Sequence, residues 1–259
     1  MNFFFGIKSK FLYSQLTIPK FRNSEDSRQE YNLYSAKIKR DKWEICKVNC
    51  DSDNNFYFVD SKLIDNDIIF FLAKNNELLE FKKNNYTKLI GLNKFTDTVP
   101  DFRGNLLVQN NIGGFSSYQS EYPLSMVSKT GSIVSSLYSL TNPNADKNLL
   151  IFKNIYEKPV KIRFKIFFID IVNKKILFEK YFFTNKTNEI IIDKKFMKPA
   201  IHLYTHGYIG IPMFINFKDG HISFEHTHPP HEYVLGINKF KIIKNFKDEC
   251  NEIINKENC

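Results

Sequence analysis

Val160-Lys161-Ile162-Arg163-Phe164-Lys165-Ile166-Phe167-Phe168 alternates apolar and basic residues almost to its end. Successive side chains of a strand point to opposite faces. Val160, Ile162, Phe164, Ile166 and Phe168 therefore line one face, and Lys161, Arg163 and Lys165 the other. Such a pattern predicts an antiparallel strand with one dry face and one wet face. Downstream, Asn173-Lys174-Lys175 reads as a turn, residues 176–183 as a returning strand, residues 185–188 as another turn and residues 189–192 as a third strand. These three are expected to pair consecutively.

Working outward, residues 149–155, 200–204 and 208–217 read as further strands, and Lys218-Asp219-Gly220 as a hairpin turn leading into residues 221–225. Residues 125–236 are accordingly expected to form a β-sandwich. Upstream, short strands at 43–48, 56–59, 68–73, 78–81 and 86–92 alternate with Asn- and Asp-rich turns. Residues 1–98 are expected to form an antiparallel meander. Residues 99–124 lack clear periodicity and read as a connecting loop. Phe240, Ile243, Phe246, Cys250, Ile253 and Ile254 recur at three- and four-residue steps, which predicts a C-terminal helix over 237–259. The fold class is mainly β, with an N-terminal meander, a β-sandwich and one terminal α-helix. No repeat of fixed period is visible, so a propeller is not expected.

The chain has 259 residues and 26 phenylalanines, enough core material without disulfides. Its net charge of +9 invites a nucleic-acid reading. Arginine, the residue suited to bidentate phosphate and guanine contacts, occurs only at positions 22, 28, 40, 103 and 163, and the lysines are scattered. Nucleic acid is therefore not an expected partner. Cys46, Cys50, Cys250 and Cys259 make no disulfide framework. Cys46 and Cys50 are expected as buried free thiols on one strand face. No apolar run approaches the length of a spanning helix, and residues 1–8 do not compose a secretion signal. A soluble cytoplasmic protein without membrane contact is expected.

All six histidines fall between His202 and His231. On a strand, His226 and His228 would project from one face, with Glu232 four residues further on. Two imidazoles and a carboxylate suit a divalent metal, zinc or iron, with positions open for water or substrate. His202 and His206 are candidate additional ligands. Gly220-x5-His226-x-His228-x3-Glu232 is similar to the first motif of the cupin superfamily, whose two histidines and glutamate bind a metal inside a small β-barrel. The similarity covers 13 residues. Gly236 arrives earlier than that motif's final glycine, and no histidine follows His231 for the second motif.

A second class of function needs no metal. Here His221 and His231 join Tyr118, Gln119 and Arg103, from the amide- and aromatic-rich residues 103–122, in one ligand-binding surface. Its expected occupants are a small polar ligand or carbohydrate, a protein partner or a second copy of the chain. Since β scaffolds commonly serve recognition and a fold does not dictate chemistry, the non-catalytic binding class is preferred over the metal-dependent enzyme.

Overall fold

The computed structural model describes residues 2–20, 31–74, 77, 88–89, 103–226 and 236–257. Its strands in chain order begin with β1 (Asn2–Phe4), β2 (Tyr13–Pro19), β3 (Tyr31–Lys39), β4 (Lys42–Lys47), β5 (Asp51–Ser52), β6 (Phe56–Val59) and β7 (Ile69–Lys74). Next come β8 (Asn105–Gln109), β9 (Phe115–Gln119), β10 (Glu121–Pro123), the short helix α1 (Leu124–Val127) and β11 (Val134–Ser136). The chain closes with β12 (Lys147–Asn154), β13 (Arg163–Asp170), β14 (Lys175–Phe183), β15 (Lys186–Ile192), β16 (Ile201–Thr205), β17 (Ile211–Lys218), β18 (His221–His226) and helix α2 (Lys239–Glu257). The protein is thus mainly β with one C-terminal helix.

The strands make four antiparallel sheets, with orders β10-β1-β7-β3-β4, β5-β6-β2-β8-β9, β11-β16-β13-β14 and β15-β12-β17-β18. Their disposition is a four-bladed, propeller-like one, which corrects the expected meander and sandwich. The reason lies in β12. Leu149 and Ile151 on one face of this strand join a core built with Phe4, Leu16, Leu33, Leu72 and Val108. Leu150 and Phe152 on the other face join a core built with Phe164, Ile166, Phe168 and Leu203. A two-layer sandwich buries one face of each sheet, whereas this sheet is buried on both. No sequence repeat reveals the arrangement, because each sheet draws its strands from separated parts of the chain.

Several local expectations are met. In β13, Phe164, Ile166 and Phe168 face the core, while Arg163 is exposed. The β17–β18 hairpin turns at Asp219 and Gly220, both at positive φ (46° and 83°). That is the two-residue turn an Asp-Gly pair favours. Helix α2 lays Cys250, Ile253 and Ile254 on Phe167, Ile169 and Tyr204, the outer face of the β13 sheet. Phe240, expected on the same stripe, is 65% exposed instead.

Other expectations are corrected. β14 pairs with β13, but the third strand, β15, pairs with β12 in a different sheet. The switch occurs at Asn185, a buried residue at φ 55°. Its amide donates to the carbonyls of Lys158 (2.8 Å) and Val160 (3.0 Å), and its Oδ1 accepts from Tyr156 N–H (2.7 Å). In the N-terminal part, β6 joins β2 and β5 while β7 joins β1 and β3, so successive strands serve different sheets. Residues 103–124 are not a loop: β8 and β9 complete the β2 sheet and β10 pairs with β1. The strands expected at 78–81 and within 86–92 lie largely outside the described residues. Cys46 is exposed and Cys50 half-buried, not buried as expected; only Cys250 of the three described cysteines is buried. Cys259 lies outside the described residues. Among those residues, no helix is long and apolar enough to cross a membrane.

One polar joint fastens the N-terminal sheets to the β12 sheet. Lys153 of β12 has no exposure and donates to the Asn66 carbonyl at 3.2 Å, beside the Phe5 ring. The same carbonyl accepts from Thr187 N–H at 2.9 Å. The Asn66 side chain brackets Lys8, accepting its N–H (3.0 Å) and donating to its carbonyl (2.8 Å). Burial pushes the Lys153 ammonium down to about 7, against the opposing pull of Asp67 and Asp65. The unfolded chain holds that proton up to the ordinary lysine range, so it binds more protons than the folded protein above pH 7. Stability should therefore rise with pH from about 7 to 9 through this group. Urea unfolding of the wild type across that range should show the rise, and Lys153→Met should flatten it. An equal pH slope in both proteins would remove Lys153 as its source.

Candidate functional site

Two hairpins from distant parts of the chain meet where the β2 sheet touches the β12 sheet. The β8–β9 connection is built around Asn110, which is 7% exposed. Its Oδ1 accepts the N–H groups of Ile112 (3.0 Å) and Gly114 (2.9 Å), and its own N–H donates to the Gly114 carbonyl (2.9 Å). Its side-chain nitrogen, Nδ2, donates 2.8 Å across to the carbonyl of Gly220, in the β17–β18 turn. A Cβ on Gly114 would lie 1.9 Å from that carbonyl oxygen, so only glycine fits the contact.

Further along the same seam, Tyr118 of β9 inserts between residues of β18. Its ring centroid lies 5.1 Å from that of Phe224 and 4.5 Å from that of His226, the latter edge-on at 65°. Burial and the nearby Glu121 raise the Tyr118 hydroxyl above the usual phenol range, with Arg103 opposing. Burial likewise raises the Glu121 carboxyl, countered by the Gly104 N–H that donates to it at 2.6 Å and by Arg103. Arg103 itself donates to Gln119 Oε1 at 2.5 Å. Tyr118 and His226 thus meet inside the seam, whereas Gln119, next to Tyr118 on β9, is exposed on the opposite face with Arg103 bonded to it. Ile112, 77% exposed, and Phe115, 68% exposed, stand beside it.

The four described histidines do not converge. His202 of β16 lies on the outer face of the β13 sheet, its ring 5.1 Å from Phe246 of α2. Its Nδ1 sits 3.3 Å from the Ala200 carbonyl, and burial lowers its proton affinity. His226 faces the opposite way, into the seam against Tyr118. Two sheets and the core between them separate the two rings, because β16 and β18 belong to different sheets. His206 follows β16, is exposed, and donates its backbone N–H to the Lys165 carbonyl at 3.3 Å. His221 is exposed at the start of β18. His228, His231 and Glu232 lie outside the described residues. Among the described residues, no group of three or more His, Cys, Asp or Glu could hold a metal ion. The metal set of the sequence reading is therefore reduced to His226, at the end of β18, and whatever residues 227–235 bring to it.

Asn110, Glu121 and Phe224 were not singled out from sequence. Turn chemistry was the available signal for Asn110: an Asn ahead of Gly113-Gly114 marks a tight connection whose side chain bonds its own backbone. Phe224 carried no signal beyond being apolar.

The Asn110–Gly220 contact makes a stability prediction. Gly114→Ala should cost about 1–3 kcal/mol through overpacking. Asn110→Ala should cost a similar amount, by leaving the Gly220 carbonyl and the turn N–H groups unpaired. Chemical denaturation of both variants measures this; wild-type midpoints would mean that the two hairpins do not depend on one another.

Searches of protein-family models, of curated proteins and of solved structures each found no match to this chain.

Proposed function

We propose that this chain is a non-catalytic binding protein whose recognition surface is built where the β8–β9 and β17–β18 hairpins dock. The observation that carries the reading is the Tyr118–His226 contact at 4.5 Å beside the Arg103–Gln119 pair. The reading is supported by aromatic and imidazole rings from two sheets meeting there, with exposed Ile112 and Phe115 and the outward-facing Arg103–Gln119 pair at the rim. Residues held by a rigid β scaffold and differing in chemistry are what selective binding of a polar ligand requires. The buried Tyr118 hydroxyl stays protonated at neutral pH and serves as a hydrogen-bond donor, not as a base. Ligand chemistry that fits is small, polar and partly apolar, with a carbohydrate or a protein loop as candidates.

A metal-dependent enzyme centred on His226, His228 and Glu232 is the competing reading. Elemental analysis of the purified protein separates the two. The binding reading expects substoichiometric zinc and iron, and a melting temperature that neither metal shifts. Stoichiometric zinc or iron, lost in a His226→Ala/His228→Ala double variant, would overturn it in favour of the metal centre.

A further inference from the structure

The outer face of the β2 sheet carries a pattern that the seam does not use. Cross-strand register fixes it: Tyr13, Gln109 and Phe115 stand side by side in one row. Gln15, Leu107 and Ser117 form the next row, and Thr17, Asn105 and Gln119 the third. Alternate residues of these strands, including Leu16, Leu106 and Val108, are buried beneath, so the nine face outward. Phe58 of β6 continues the third row beyond Thr17.

None of these nine residues is charged, in a chain whose residues are 25% charged. Among the described residues, charge enters only at the margins, with Arg103 bonded to Gln119 at one side and Asp51 beyond Phe58 at the other. Tyr13, Phe58 and Phe115 are 40%, 39% and 68% exposed. Tyr13 and Phe115 lie two strand spacings apart, about 10 Å. Gln109 lies between them, Gln15 in the next row and Asn105 in the third, and the side-chain amides of these three make no hydrogen bond to another protein group among the described residues.

A polyanion or polycation finds no countercharge on such a face, and a lipid finds too many amides. A neutral, extended sugar chain meets both features. Its C–H faces stack on aromatic rings, and its vicinal hydroxyls pair with amides that both donate and accept. Rings about 10 Å apart suit alternate units of an extended hexose chain. We infer that the outer face of the β5-β6-β2-β8-β9 sheet is a binding platform for neutral polysaccharide, with Tyr13 and Phe115 as stacking residues and Gln15, Asn105 and Gln109 as hydroxyl readers. This rests on the binding reading above and names its ligand class, on a face adjacent to the seam.

Native affinity electrophoresis tests it, with gels containing hydroxyethylcellulose, xylan or glucomannan, followed by calorimetry with the matching hexasaccharide. The full chain should be retarded by at least one neutral polysaccharide, and high salt should not abolish the retardation. Tyr13→Ala/Phe115→Ala should weaken binding about tenfold or more, and Gln15→Ala/Gln109→Ala should weaken it without altering the melting temperature. Arg163→Ala, on a different sheet, should bind as wild type. Retardation by none of the three would overturn the platform. So would binding only to an anionic polysaccharide with loss at high salt, or undiminished binding by the aromatic double variant. A concentration-dependent dimer lost in that variant, with no sugar binding, would assign the face to a second copy instead. A metal-free protein that binds no polysaccharide would sink this inference while leaving the binding reading in place; stoichiometric metal with intact polysaccharide binding would do the reverse.

Discussion

Strand β12 turns Leu149 and Ile151 to one core and Leu150 and Phe152 to another, and both faces are sealed from water. A strand so placed cannot alternate polar and apolar residues, and its burial is continuous from Asn148 to Asn154. The N-terminal sheets pack on one side and the β13 sheet on the other. Removing either layer would expose a row of large apolar side chains, at about 25 cal/mol per Å² of apolar surface. The double burial therefore holds the four sheets as one body. It also confines Lys153 without water, which is why that amine is bound to the Asn66 carbonyl and has its proton affinity depressed.

The candidate site follows from the same constraint. With β12 in the middle, β18 becomes an edge strand of its sheet and β9 an edge strand of the β2 sheet. Exposed edges are open to unwanted pairing, and proteins usually cover or block them. Here the two edges are brought against each other, sealed by Tyr118 on Phe224 and His226 and by Asn110 on Gly220. The seam is both a structural closure and the place where polar side chains of distant origin meet. The outer face of the β2 sheet lies just beyond it, its nine outward residues uncharged, with no further layer over it among the described residues.

Much of the secondary structure was legible in the residues. The period-two run around Phe164 and Ile166 is β13, Asp219-Gly220 makes the β17–β18 hairpin turn, and Cys250, Ile253 and Ile254 form the buried stripe of α2. Tyr118, Gln119 and Arg103 were singled out from composition; Tyr118 enters the seam, while Gln119 turns to the outer face of the same sheet. What failed was the assumption that neighbours in sequence are neighbours in a sheet. Asn185 carries the chain from one sheet to another through bonds to residues about 25 positions away, and no local pattern announces such a switch. The histidines mislead for a related reason. His202 and His226 are close in sequence, but β16 and β18 sit in different sheets with a core between them.

The sequence by itself determined the β class, the terminal helix, several turns and the apolar face of alternating strands such as β13, because these follow from side-chain period and backbone preference over a few residues. Only the tertiary structure decided which strands pair, that one sheet is buried on both sides, and that Asn110 reaches Gly220 while His202 and His226 stay apart. Those outcomes depend on long-range burial. A strand's apolar face must find a matching face somewhere, and many partners satisfy it equally well until the whole chain has packed.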